Sequence, residues 1–156
     1  MATSMTIKRV SLEDAPALSA LCNELGYETK STQIEKRLRE ILAMEDHAIF
    51  IAFTTQRTAM GWIHVFISHR LMTDPFAELG GLVVTQANRK KGIGRLLLSR
   101  AESWAKEKGY DTLRIRTQTS RIEAHQFYTR MGYHCWKEQV VFEKFLQVQA
   151  GDPTDQ

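Results

Sequence analysis

The chain has 156 residues, 43% of them hydrophobic and 25% charged, with a formal net charge of +3. That balance suits one globular domain and excludes a disordered or fibrous chain. Basic residues interleaved with acids argue against a nucleic-acid binder, and no apolar run approaches the length that spans a bilayer. The two cysteines, Cys22 and Cys135, have no metal-ligand spacing and make no disulfide framework, so reduced thiols in a cytoplasmic protein are expected. The polar start of the chain has no apolar segment of the signal-peptide kind.

Residues 6–10 alternate as a first strand does. Ser11, with Asp14 three positions on and Pro16 behind it, reads as a helix start, and Leu18, Leu21, Cys22 and Leu25 recur at helical spacing until Gly26. A second helix is expected from Ser31 or Thr32 to about Met44, burying Ile34, Leu38, Ile41 and Leu42. Two antiparallel strands follow at residues 48–53 and 61–67. A loop holding His69, Asp74 and Pro75 leads to a longer strand at residues 76–84. Further expected elements are a helix over about 92–108, a strand at 112–117, a helix over about 122–131 and a last pair of strands at 134–136 and 140–145. The order is β-α-α-β-β-β-α-β-α-β-β: an α/β fold with a mixed sheet of about seven strands flanked by four helices. One domain is expected over residues 1–146, with a polar C-terminal tail at 147–156.

The segment Leu82-Val83-Val84-Thr85-Gln86-Ala87-Asn88-Arg89-Lys90-Lys91-Gly92-Ile93-Gly94-Arg95 concentrates the chemistry. An apolar strand enters a basic turn with two glycines, and a helix opens at once. The first amides of a helix lack intrahelical acceptors and its dipole favours negative charge there. Glycines let a ligand approach the backbone, and Arg89, Lys90, Lys91 and Arg95 add positive potential. A diphosphate suits this turn; a solvated basic loop whose glycines serve only the turn is the alternative. It has neither Walker spacing nor the three glycines of a dinucleotide fingerprint.

Arg89-x-x-Gly92-x-Gly94, after a strand and opening a helix, resembles the acetyl-CoA signature of the GNAT superfamily of N-acetyltransferases, and the element order resembles that fold from about Thr6 to Phe145. The resemblance implies that the backbone from Lys91 through Gly92, Ile93 and Gly94 to Arg95 binds the pyrophosphate of acetyl-CoA, that Arg89 shapes the turn, and that Leu82, Val83 and Val84 pair with the pantetheine arm as an added strand would. Ala124-His125-Gln126-Phe127-Tyr128 and Gly132-Tyr133 resemble a second family segment, of the branch with R-x-x-A-H-x-F-Y. Read as residues, this is a short amphipathic helix capped by Gly132. The resemblance implies that the Tyr128 hydroxyl protonates the departing CoA thiolate, a phenol with a pKa near about 10 donating to a thiolate near about 8.5. Arg121 stands where many members have Asn, and touches CoA phosphate, substrate or a nearby acid.

An alkylammonium must lose a proton before it attacks a thioester. Glu78, in an apolar strand fourteen positions before Gly92, resembles the catalytic Glu of the histone-acetyltransferase branch. It serves as base, binds the substrate cation or pairs with an Arg; a water chain is the family's other route, and His64 is a weaker candidate. The remaining histidines, 47, 69, 125 and 134, show no metal spacing, and no metal is expected. With both cysteines read as structural, direct attack in a ternary complex is expected, a backbone amide near Val83 or Val84 holding the oxyanion. The acceptor is expected to be a primary amine: a small molecule, or a protein lysine or N-terminus. Asn23, Glu24, Tyr27, Glu28, His69, Asp74 and Phe76 lie in the loops expected to face it. A CoA sensor without turnover, and more remotely a nucleic-acid or phospholipid binder, are the competing classes. Dimerisation is common in the family, so a homodimer is possible on that ground.

Overall fold

The computed structural model describes residues 4–149. The chain falls into two compact units, Met1–Arg116 and Thr117–Gln156. In the first, β1 (Met5–Arg9) gives way to a single 3-10 turn over Leu12–Asp14 and then α1 (Ala15–Glu24). The Asp14 carboxylate fixes this entry by accepting from the Ser11 amide and from Lys8 Nζ, each at 2.9 Å. The elements α2 (Ser31–Leu42), β2 (His47–Thr54), β3 (Ala59–Arg70), β4 (Thr73–Val84), α3 (Ile93–Glu107) and β5 (Leu113–Arg114) follow.

The strands form one sheet in the order β1-β2-β3-β4-β5, antiparallel except for a parallel β4–β5 contact. Period-2 alternation gives each strand two faces. Ile49, Ile51 and Val83 join α1 and α2 in one apolar cluster with Leu18, Leu21 and Leu38. The other face carries Ile63, Val65 and Ile67, and α3 packs on β2, β3 and β4 with Leu97, Leu98, Ala101 and Trp104 buried.

Gly61 lies in β3 against the β4 backbone. A Cβ built there would lie 2.5 Å from the Val83 carbonyl oxygen and 3.3 Å from Leu97 Cδ1. Backbone cannot withdraw as a side chain can, so Gly61→Ala is expected to cost about 1–3 kcal/mol in denaturant unfolding.

Among the described residues five strands form, not about seven. Residues 134–149 belong to no strand, and Val141, Phe142 and Phe145 are about nine-tenths exposed. Their composition fits a pleated surface, but strand propensity becomes a strand only against a laddered partner. The strand expected at 112–117 shortens to Leu113–Arg114, paired with Ala77 and Glu78. The loop expected around His69, Asp74 and Pro75 is instead the tip of the β3–β4 hairpin. Register slips there between Ser68 and Arg70, which accommodates a proline that has no N–H to donate.

The second unit holds α4 (Ile122–Arg130). Gly132, at φ +92°, ends it as a C-terminal glycine does, with Tyr133 N–H donating to Tyr128 O. Residues 150–156, within the expected polar tail, lie outside the described residues.

Candidate active site

The basic turn forms at the end of β4. Thr85 N–H donates to Met60 O, and the Asn88 amide donates to Thr85 Oγ1 at 2.6 Å. Arg89 Nε folds back onto the Val84 carbonyl at 3.4 Å, so this side chain closes the turn. Lys90 adopts φ +63°, rare for a residue with a Cβ, and Gly92 follows at φ +82° as the N-cap of α3. The first amide to close an intrahelical bond is that of Leu96, on Gly92 O. The amides of Ile93, Gly94 and Arg95 therefore have no acceptor within the helix. Arg89, Lys90, Lys91 and Arg95 are exposed around them, while buried Ile93 anchors the turn from beneath. Backbone donors, a helix dipole and four cations on one turn fit a diphosphate.

The strand leading into the turn has an open side. Among the described residues β4 pairs with β5 at Ala77 and Glu78 and no further, so its outer edge from Leu79 through Leu82, Val83 and Val84 is not laddered to a strand. A β-bulge adds to this. His64 pairs with Gly81 and Val65 with Leu79, leaving Gly80 as the extra residue. Bulges of this kind re-aim side chains beside active sites.

Register puts Glu78 opposite Phe66, and His47 opposite Phe66 from β2. Glu78, His47, His64 and Phe66 therefore share the sheet face that carries α1 and α2. Glu78 is only 6% exposed and is ion-paired to Arg116 Nε, with Arg70 Nη2 at 3.9 Å. Of the readings open to it, an arginine pair is the one this geometry supplies. His64 Nε2 lies 3.0 Å from His47 Nδ1, and both rings stack with or tilt against Phe66.

Burial, with the neighbouring His47, lowers the His64 pKa from 6.5 to about 4. Between those values the unfolded chain binds the proton and the folded chain does not, so stability rises with pH. Stability is complete above about pH 6.5 and is lost as pH falls towards 4, by about 3 kcal/mol on this account. His64→Phe is expected to flatten that segment of the curve in denaturant titrations at stepped pH.

In the second unit, the Tyr128 ring meets Phe127 and Tyr133 edge-on at centroid distances of 5.2 and 6.2 Å. Burial raises the phenol pKa above its usual value of 10.0, against the opposing pull of the Arg121 guanidinium. The phenol is therefore protonated at neutral pH. His125 Nε2 lies 2.9 Å from Gln118 O, which ties α4 to the preceding loop.

The residues expected near the acceptor divide. Asn23 is bound to the Thr29 backbone through both side-chain atoms, and a Glu24 carboxylate oxygen accepts from the Gln86 amide at 3.3 Å. Phe76 is buried under Arg114, whose guanidinium carbon lies 3.9 Å from the ring centroid. Tyr27, Glu28, His69 and Asp74 are exposed. His47 carried no signal when read alone; it gains significance from the β2–β3 register. Cys22 is buried in α1, where burial raises its thiol pKa. Among the described residues no three His, Cys, Asp or Glu gather as a metal would need, and no helix is long and apolar enough to cross a membrane.

A mixed α/β fold whose open strand edge runs into a basic, amide-rich helix N-terminus is the architecture of an acyl-CoA-dependent transferase. Residues 15–133 match the Acetyltransferase (GNAT) family, and the chain belongs to it as an acetyl-CoA-dependent N-acetyltransferase. The chain is 30% identical to the uncharacterized N-acetyltransferase YhdJ of Bacillus subtilis (strain 168) over 132 residues, 83% of this chain and 88% of that one. It is 24% identical to an aminoglycoside N(6')-acetyltransferase type 1 of Stenotrophomonas maltophilia, over 96% of this chain and 99% of the relative. Among solved structures, aminoglycoside 6'-N-acetyltransferase AAC(6')-Ih of Acinetobacter baumannii shares the fold at TM-score 0.80 and 21% identity, covering 92% of this chain and 100% of that one. AAC(6')-Iy in complex with a bisubstrate analogue, CoA-S-monomethyl-acetylneamine, does so at TM-score 0.81 and 19% identity, covering 92% and 99%.

Proposed function

We propose that the protein transfers acetyl from acetyl-CoA directly to a primary amine of a small, cationic molecule. The observation that carries this is the open edge of β4, running from the bulge at Gly80 to the unsatisfied amides at the start of α3. An extended pantetheine arm adds to such an edge by main-chain hydrogen bonds, and its diphosphate reaches Ile93, Gly94 and Arg95. The thioester then lies beside the bulge at Gly80.

Direct attack is the route assigned. Cys22 is in the core with its thiol pKa raised, which deprives it of the thiolate that an acyl-cysteine route needs. Tyr128, protonated at neutral pH, is assigned as the acid that meets the departing thiolate. Glu78 is assigned a charge-holding role: its Arg116 and Arg70 partners fix a buried carboxylate on the α1/α2 face. The acceptor class draws on the aminoglycoside acetyltransferases among the relatives. The exposed acids Glu28 and Asp74 complement such a polycation. Thiol release measured on aminoglycosides, polyamines and lysine peptides tests the reading. Turnover confined to peptides would overturn the small-molecule assignment, and no turnover with any amine would overturn the reading as a whole.

A further inference from the structure

Glu78, held by two guanidinium groups, leaves the ammonium proton of the acceptor without an evident destination. The β2–β3 hairpin offers one. Gly80, the bulged residue, is exposed, and a Cβ built on it would lie 2.5 Å from His64 Nδ1. With no side chain at Gly80, that residue leaves the space beside the nitrogen unfilled. Among the described residues no protein group bonds Nδ1. The other ring nitrogen, Nε2, meets His47 Nδ1 at 3.0 Å. His47 Nε2 lies 3.9 Å from Asp46 Oδ1, and Asp46 Oδ2 lies 3.7 Å from His69 Nε2. Asp46 and His69 have 44% and 60% of their side-chain surfaces exposed. Alternating ring nitrogens thus lead from the bulge to solvent.

We propose that His64 and His47 form a proton relay, which takes the ammonium proton of the acceptor amine at the Gly80 bulge and delivers it to water beside Asp46 and His69. The inference rests on the reading of β4 as the site of acetyl transfer. The ammonium N–H bond breaks as His64 Nδ1 gains the proton. The proton on His64 Nε2 passes to His47 Nδ1, and the one on His47 Nε2 leaves to solvent. The nitrogen lone pair so released attacks the thioester carbonyl, the departing sulfur takes a proton from the acid assigned above, Tyr128, and the nitrogen's second proton, lost as the amide forms, restores that phenol. One proton reaches solvent per acetyl transferred, and exchange with water restores both tautomers after products leave.

The surroundings suit conduction. His47 faces His64 from β2, with Asp46 and His69 beyond it. From β4, Glu78 shares the face but is committed to Arg116 and Arg70. From α1, the packed side is apolar Leu18, Leu21 and Cys22. Burial keeps His64 neutral well below neutral pH, so the ring does not repel an incoming cation, and proton gain at Nδ1 is coupled to proton loss at Nε2 towards His47.

The test is thiol release from acetyl-CoA with two primary amines, one of pKa near about 10 and one near about 8, between about pH 6 and pH 9. Wild type is compared with His64→Gln, His47→Gln and Gly80→Ala. His64→Gln is expected to lower kcat for the more basic amine about 100-fold at neutral pH, with CoA affinity retained. The deficit shrinks as pH rises and for the less basic amine, because more of the acceptor then arrives unprotonated. His47→Gln shows the same pattern with a smaller loss. Gly80→Ala, whose methyl group covers Nδ1, follows His64→Gln. Wild-type kcat in His64→Gln overturns the relay, as does a loss of equal size at every pH and with both amines. If His64→Gln does not fold, unchanged kcat in both other variants overturns it. If wild type binds CoA yet releases thiol with no amine, the transfer reading fails, and the relay with it.

Discussion

Tyr128→Phe is expected to lower turnover about 100-fold or more while leaving CoA affinity within about twofold. The substitution removes one oxygen and keeps the ring that meets Phe127 and Tyr133, so stability changes little. In the role proposed for Tyr128, what it removes is the proton donor for the leaving thiolate. In that role the same phenol sets the basic limit of activity. Once the phenol ionises it cannot donate, and burial moves that ionisation above the usual value of 10.0. Arg121 acts in the opposite direction, so Arg121→Ala shifts the basic limb further up in pH. Single-turnover thiol release separates these effects from binding. Equal chemical rates in wild type and Tyr128→Phe would remove Tyr128 from the mechanism.

Gly92→Val is expected to weaken CoA binding about tenfold or more, and a matched substitution shows why. Gly92 and Gly109 bracket α3 at φ +82° and +92°, and a Cβ at either meets nothing within 4 Å. A β-branched residue is therefore strained at both by backbone alone, by about 1–3 kcal/mol. At Gly109 the strain is relieved at the C-terminal end, far along the helix from the basic turn. At Gly92 the only relief is to unwind the first turn, which re-aims the amides of Ile93, Gly94 and Arg95. Both variants lose similar stability in thermal unfolding; only Gly92→Val loses CoA affinity by calorimetry. Comparable loss of affinity in Gly109→Val would show that general destabilisation, not amide geometry, is at work.

The parts legible in the sequence were those whose cause is local. Strand, basic turn and helix are contiguous at 82–98, and glycine positions report backbone angles directly. The helix starts at Ser11 and Ser31 and the stops at Gly26, Gly109 and Gly132 are local in the same way. The pairs that give Glu78 and His64 their chemistry are not. Arg116 lies 38 positions from Glu78, and His47 lies 17 from His64. Each pair depends on sheet register, and a one-residue slip would send the side chain to the other face. The bulge at Gly80 is such a shift, and no periodicity announces it. The last segment fails for the complementary reason: Val140, Val141 and Phe142 have the composition of a strand, but composition supplies no ladder.

The amides at the start of α3 make the helix depend on something outside the chain. Most helices carry their own cap; here Gly92 contributes no side chain, and the donors of Ile93, Gly94 and Arg95 match the oxygens of a diphosphate. With CoA bound as proposed, a metabolite completes the secondary structure. A ligand present at about 100 times its dissociation constant stabilises the folded state by about 2.7 kcal/mol. Local opening of this first turn, and amide hydrogen exchange there, thus become functions of the CoA pool. In a cell, resistance to proteolysis would rise and fall with the supply of the cosubstrate.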